Sequence, residues 1–299
     1  MVSHGIGVRY SARGARIIEL EHSEEKYVVT GMATGHPGEN LESFIAASGL
    51  SLSNGTIACG LCPGDYISAL VVPDESMEPL DIRDQLDWEI NRKMISDHGD
   101  YMIDYAISDI GFAFAALKSR IKRIKGSLGR VITDVETVAL FNGCDAAGEI
   151  GSGVTFLVSV EAEGISSVLL DQGELVAMES YAVREDELAA VIPVLDRVNM
   201  NGTEKEVADR LAGYVMESYR RVTGKGGHDM TPDSIVLAGG GVYIGDLSEI
   251  VGNRTGVATA VSNPFASVSG DIQSKYPDLS GMSAAFTTCF GLAVRALDK

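Results

Sequence analysis

Between Gly5 and Thr30 apolar and polar positions alternate in three short bursts: Gly5-Ile-Gly-Val-Arg-Tyr10, Ala15-Arg-Ile-Ile-Glu-Leu20 and Lys26-Tyr-Val-Val-Thr30. A period of two belongs to strands, so the chain opens with three strands joined by short turns. A short helix is expected over 40–48. Ile57–Cys62 and Tyr66–Val72 read as two more strands around the Pro63-Gly64-Asp65 turn. The period then changes. From Pro79 to Lys93, Ile82, Leu86 and Ile90 recur every four residues with Trp88 off that line, which predicts an amphipathic helix. Strands over Tyr101–Ser108 and Phe112–Ala116, a helix over Lys118–Leu128, a strand over Val131–Asp134 and a helix from Val135 to Gly143 complete the first half.

The second half begins as the first did. Thr155–Glu161, Gly164–Leu170 and Glu174–Met178 form a three-strand meander, with Asp171-Gln-Gly173 as a hairpin turn. A meander recurring near residues 5 and 155 points to two related lobes, alike in pattern and not in letters. Helices over Glu185–Leu195 and Lys205–Val222 follow, then Ile235–Ala238 as a buried strand, Gly239, Gly240 and Gly241, and helical spacing from Ile244 to Val251. A strand over 256–260, a turn at Asn263-Pro-Phe265 and a small-residue helix over Ser283–Leu297 close the chain.

The triple glycine is the first candidate for chemistry. Three residues without Cβ let the backbone take positive φ and let another body approach, while a helix start offers free N–H groups. That body is a nucleotide in one reading. In the other, the turn is a tight crossover packed on its own sheet, and the motif alone leaves both open.

Composition removes other classes. The chain has 299 residues, 45% of them apolar, enough for a substantial core in one large or two ordinary domains. Its 24 basic and 42 acidic residues leave a formal charge of −18, which repels nucleic acid and anionic lipid over most of the exterior. Against that background the helix carrying Lys118, Arg120, Lys122, Arg123 and Lys125 is either a docking face or a solvated one. No apolar run spans a bilayer and no secretory signal opens the chain, so a cytoplasmic location is expected. Cys59-Gly-Leu-Cys62 has redox or half-zinc spacing, yet His4, His22, His36, His98 and His228 are scattered singly and a Pro-Gly turn follows the pair. Two reduced structural thiols and no metal site are expected.

With the elements in this order, several short stretches fall together. They are Gly5-Ile-Gly-Val-Arg-Tyr-Ser-Ala with Ile17-Ile-Glu-Leu20, Gln85-Leu-Asp-Trp-Glu-Ile-Asn-Arg92, Asp100-Tyr-Met-Ile-Asp-Tyr105, Thr133-Asp-Val-Glu-Thr137, Leu237-Ala-Gly-Gly-Gly241, Asn263-Pro-Phe265 and Phe290-Gly-Leu-Ala-Val-Arg295. Through them the chain resembles the PilM family of type IV pilus assembly and its type II secretion relatives over nearly its full length. The resemblance implies an α/β, actin-like (ribonuclease H-like) fold of two lobes around a cleft. An N-terminal lobe over 1–135 would carry a pilus-type insert near 56–130, and a C-terminal lobe would span 136–299. Family members bind ATP in the cleft and use the insert-bearing lobe to hold the cytoplasmic N-terminal segment of an inner-membrane partner, PilN.

This sequence departs from the family where nucleotide chemistry sits. The first phosphate loop matches Gly7, Val8, Arg9 and Tyr10, which put bulk where backbone opens to phosphate; the second matches Ser159-Val160-Glu161, without the usual Asp and Gly. A metal role survives only at Glu161 or Glu163. The helical subdomain expected between Met178 and Glu206 is also short. Gly239, Gly240 and Gly241 are then a vestigial adenosine turn in a non-catalytic adaptor with no cofactor, the alternative being an ATP switch using magnesium. Trp88, Tyr105, Lys118, Lys122 and Lys125 are the candidate partner-binding residues, with Trp88 more readily read as core. The partner would be a PilN-like protein that tethers the chain to the inner membrane, and self-association is compatible with this reading. A third option, a thiol enzyme using Cys59 and Cys62, is the weakest.

Overall fold

The computed structural model describes residues 3–11, 13–23, 26–35, 41–50, 55–73, 77–95, 97–107, 110–183, 204–224 and 230–298. The helix expected over Glu185–Leu195, and most of the shortened connection around it, lies outside the described residues.

The opening alternation builds an antiparallel meander of β1 (Ser3–Ser11), β2 (Gly14–Ser23) and β3 (Lys26–Gly35). Beside β1 run β4 (Thr56–Leu61) and then β8 (Val131–Val135), both parallel. The second half repeats the plan. β9 (Val154–Glu161), β10 (Gly164–Asp171) and β11 (Glu174–Ala182) form a meander, and β12 (Ser234–Ala238) and β13 (Ala258–Val261) extend it in parallel from β9. Gln172 and Gly173, with φ of +52° and +84°, make the tight turn between β10 and β11.

Two helices tie the sheets together. α4 (Glu136–Ala146) packs against β4 and β8 on one side and β9 and β10 on the other, and beside it α8 (Ser283–Leu297) lies on β1, β2 and β4. α8 is buried nearly all round, as an apolar helix in a core must be. Phe286 and Phe290 are fully buried, each contributing on the order of 2 to 3 kcal/mol. Glycine sets how close these layers come. A Cβ on Gly7 would sit 1.9 Å from the Cys289 carbonyl, and one on Gly291 would sit 1.9 Å from that of Ala139.

The last stretch of chain therefore completes the first lobe. β14 (Val268–Ser269) pairs with β3, making the six-stranded order β14-β3-β2-β1-β4-β8 against β11-β10-β9-β12-β13 in the second sheet. A third sheet, β5-β7-β6, stands apart and is formed by β5 (Tyr66–Val71), β6 (Tyr101–Ile107) and β7 (Gly111–Leu117). It spans a narrower range than 56–130, because β4 belongs to the main sheet.

α2 (Pro79–Lys93) covers this third sheet with Ile82, Leu86 and Ile90, the stripe that its period of four announces. Pro79 opens it at a position needing no N–H, and the Asp81 carboxylate accepts from the Glu78 amide. α3 (Lys118–Leu128) packs against β7, β8 and α1 (Leu41–Ser48). In the second lobe α5 (Glu204–Thr223) lies on β9, β10 and β11, with α6 (Leu247–Thr255) against it; the short α7 (Ile272–Lys275) precedes α8. None of the described helices is long and apolar enough to cross a membrane.

Candidate functional site

The tips of the two meanders meet where the lobes face each other. Arg9 near the end of β1 and Arg16 on β2 come from one sheet; Glu161 at the end of β9 and Glu163 in the turn after it come from the other; Glu136 is the first residue of α4. All but Glu163 are at most 3% exposed, and Glu163 is 13% exposed. Arg9 Nε lies 2.8 Å from Glu136 Oε1 and 3.8 Å from Glu161 Oε1, and its Nη2 donates to Glu163 Oε2 at 2.5 Å. The contact with Glu136 is close in distance but not aligned as a hydrogen bond. Arg16 donates from Nη1 and Nη2 to the two oxygens of Glu161 at 2.6 and 3.1 Å, and from Nη1 to the Ala285 carbonyl at 3.0 Å. The Ser11 hydroxyl donates to Glu163, and Arg13 donates to the Ala162 carbonyl.

These surroundings split the carboxylates. Burial pushes Glu136 up to about 7 despite the pull of Arg9. For Glu163 burial acts upward too, but the Arg9 charge and the hydrogen bonds from Arg9 and Ser11 outweigh it and hold the group down at about 2. Arg9 stays protonated, since Glu136, Glu161 and Glu163 overcome its desolvation.

The expectation that Arg9 and Tyr10 together crowd the first loop is half corrected. Successive residues on a strand face opposite ways, so Arg9 enters the junction while Tyr10 lines a groove on the far side. Glu161 and Glu163, the candidate metal ligands, are both taken by guanidinium groups, and among the described residues no cluster of His, Cys, Asp or Glu is arranged to hold a metal.

The glycine turn borders this junction. Gly239 has φ of +88°, and a Cβ there would stand 2.4 Å from the Val160 carbonyl and 2.9 Å from Ser159 Oγ; one on Gly241 would meet Val160 Cγ1 at 2.5 Å. Both glycines are thus needed by the end of β9 itself. The Gly239 amide donates to the Ala284 carbonyl at 2.8 Å. Gly240–Tyr243 forms a 3-10 turn and α6 starts only at Leu247, three residues later than the helical spacing suggests. The Tyr243 hydroxyl accepts from the Ala284 amide at 3.0 Å, satisfying one of the free N–H groups at the start of α8.

The partner-binding candidates fall on two elements. Trp88 on α2 is 58% exposed with the Arg92 guanidinium 4.8 Å over its ring, which overturns its assignment to the core: the stripe of Ile82, Leu86 and Ile90 takes the sheet and leaves Trp88 outside. Tyr105 on β6 is half-buried, donates to Asp87 and lies under Arg83. Lys118, Lys122 and Lys125 are exposed along α3, with Lys118 reaching the Gly99 carbonyl at 2.7 Å. Arg120 leaves that basic face. It turns inward to Asp65 at 3.0 Å and to the Tyr10 carbonyl at 2.9 Å.

Between α1 and α3 lies a groove of about 300 Å³ lined by Tyr10, Leu41, Glu42, Arg120, Arg123, Ile124 and Ser127. Residues so distant in sequence give no local signal of it; Arg120 and Arg123, within the basic run, are the hints of it. All four cysteines are free and buried, and burial pushes the Cys59 thiol up to about 12, so neither it nor Cys62 is an activated nucleophile.

Two lobes of matching plan, joined by a pair of central helices, give this chain an actin-like fold. Within that class the chain is similar to PilM: the model of the family described as type IV pilus assembly protein PilM matches residues 220–297, which include the glycine turn and Phe290–Arg295. The solved PilM-PilN type IV pilus biogenesis complex superposes with a TM-score of 0.75 at 16% identity, over 99% of each chain. A Bacteroides thetaiotaomicron protein with actin-like ATPase fold gives 0.54 at 10% identity, covering 92% of this chain and 95% of that one. The activator of 2-hydroxyisocaproyl-CoA dehydratase from Clostridium difficile, solved with bound ADPNP, gives 0.50 at 9%, over 99% and 94%. At such identities the likeness is one of fold. No curated protein matches the sequence.

Proposed function

We propose that this chain is a cytoplasmic actin-like adaptor of a type IV pilus or type II secretion-like platform, holding the cytoplasmic N-terminal segment of a PilN-like membrane protein without turning over nucleotide. One observation carries the reading: the floor of the cleft is filled by its own buried ion pairs, Arg9 with Glu136 and Glu163, and Arg16 with Glu161. A magnesium triphosphate fits these residues poorly. The carboxylates that could organise the metal already face guanidinium groups, and the glycine turn is packed on Val160.

The partner rests on the likeness to the PilM-PilN complex and on the groove between α1 and α3. Leu41 and Ile124 offer an apolar floor and Arg123 a charge at its edge, beside Lys122 and Lys125. In a chain of formal charge −18 such a face favours a partner with acidic residues.

The test is a pair of titrations on the whole chain. Magnesium ATP should leave the melting temperature unmoved, whereas a bound ligand at 100 times its Kd would stabilise by about 2.7 kcal/mol. A peptide copying the partner's cytoplasmic N-terminus should bind, and Lys122→Glu/Arg123→Glu should weaken it by roughly tenfold or more, the effect of losing about 1.4 kcal/mol. An ATP shift of that size would favour the switch, and a peptide that does not bind would remove the adaptor.

A further inference from the structure

Five ionisable side chains, four of them at most 3% exposed, meet at one lobe junction, which is more than packing requires, since desolvated ions stabilise a fold only when closely matched. Their arrangement gathers carboxylates around one cation. Glu136 and Glu163 face the Arg9 guanidinium at 2.8 and 2.5 Å, and Glu161, hydrogen-bonded to Arg16, lies 3.8 Å from it. The 1% exposed Glu136 meets Arg9 by close approach at 2.8 Å and not by an aligned hydrogen bond.

We infer that Arg9 is a tethered cation occupying a carboxylate site shared by the two lobes, and that it holds the cleft closed in the way a bound metal ion would. The inference rests on the adaptor reading, since it makes closure independent of any added ligand. Arg9 is anchored on the first sheet and Glu161 and Glu163 on the second, so the contact crosses the cleft. The Ser11 hydroxyl, donating to Glu163, orients the carboxylate toward Arg9. Depression of the Glu163 pKa to about 2 agrees with a carboxylate kept ionised by a permanent neighbouring cation.

Removing the tether has a defined consequence. In Arg9→Ala, Glu161 would keep Arg16 while Glu163, and Glu136 where it is ionised, lose their cation, an excess of one to two negative charges that a divalent ion or a free guanidinium can balance. The full-length variant should melt roughly 5–10 °C below the parent, the range for an uncompensated buried charge in a chain of this size. Manganese ion or methylguanidinium, each at millimolar concentration, should restore part of that loss, while sodium chloride of equal ionic strength should not. Arg9→Ala/Glu163→Gln should lose the recovery. Rescue no better than that of sodium chloride would overturn the assignment.

If Arg9→Ala does not accumulate folded, Glu163→Gln decides. It keeps the shape of the side chain and should still melt several degrees lower, with a larger radius of gyration from lobes that open; parent-like melting and size would refute the tether. These outcomes are separate from the ATP titration of the unaltered chain, which tests the adaptor reading alone.

Discussion

Arg16 and Glu161 form a two-pronged pair across the lobe junction, Nη1 to Oε1 at 2.6 Å and Nη2 to Oε2 at 3.1 Å, with both side chains essentially excluded from water. Fork-to-fork geometry is the strongest arrangement open to these two groups, yet a buried pair stabilises mainly against the loss of one member. Arg16→Met should therefore cost about 3 to 5 kcal/mol by leaving Glu161 charged with only the longer 3.8 Å contact to Arg9, whereas Arg16→Met/Glu161→Met should recover most of it. Urea unfolding of the two single variants and the double closes the cycle. Additive losses would show that the residues are not coupled.

Glu136 and Glu163 give opposite dependences on pH. Glu163 has its folded pKa lowered to about 2, so its contribution is present above the ordinary value near 4.5 and is lost as pH falls from there towards 2. Glu136 has its folded pKa raised to about 7; the folded state holds the extra proton, so stability falls as pH rises from about 4.5 through 7. Each window spans roughly 3 kcal/mol. Urea midpoints measured from pH 3 to 8 should peak near pH 5, and Glu136→Gln should flatten the upper limb while leaving the lower one. A parent profile still rising between pH 5 and 7 would contradict the state assigned to Glu136.

Gly239 and Gly240 separate two meanings of the triple glycine. Gly239 takes φ of +88° with β9 pressed against it, so Gly239→Ala should cost about 2 to 3 kcal/mol from backbone strain and the clash with Val160. Gly240 has no positive φ, and Gly240→Ala should be tolerated within about 1 kcal/mol. Thermal unfolding of both variants measures the difference. Equal losses would mean that the turn is held by something other than the packing of Val160.

The architecture was legible because it is written locally. Alternation around Ile6 and Val8, recurrence every four residues at Ile82, Leu86 and Ile90, and the small residues of 283–297 each follow from one element packing one face. The expected α3 and α8 have the observed bounds. The site was legible only by default. Arg9 and Glu161 stand out in the sequence as departures from a phosphate loop, but the pairing of Arg9 with Glu136 and Glu163, and of Arg16 with Glu161, joins residues as much as 145 and 154 positions apart, which no spacing encodes. Trp88 shows the same limit in reverse. Its exposure follows from the Ile82 stripe, but the general tendency of tryptophan to be buried argued the other way.

That exposure makes Trp88 a reporter, because it is the sole tryptophan of the chain. Trp88→Ala should change stability by less than about 0.5 kcal/mol, since no core contact is lost and only the stacked Arg92 is released. In the unaltered protein its emission should be water-like and readily quenched by iodide. The proposed peptide groove is formed by α1 and α3, whereas α2 covers the third sheet, so saturating peptide should leave that emission and its quenching unchanged. A blue shift with protection from iodide would instead move the docking face onto the insert, where exposed Leu80 and Met102 could join Trp88 as apolar anchors.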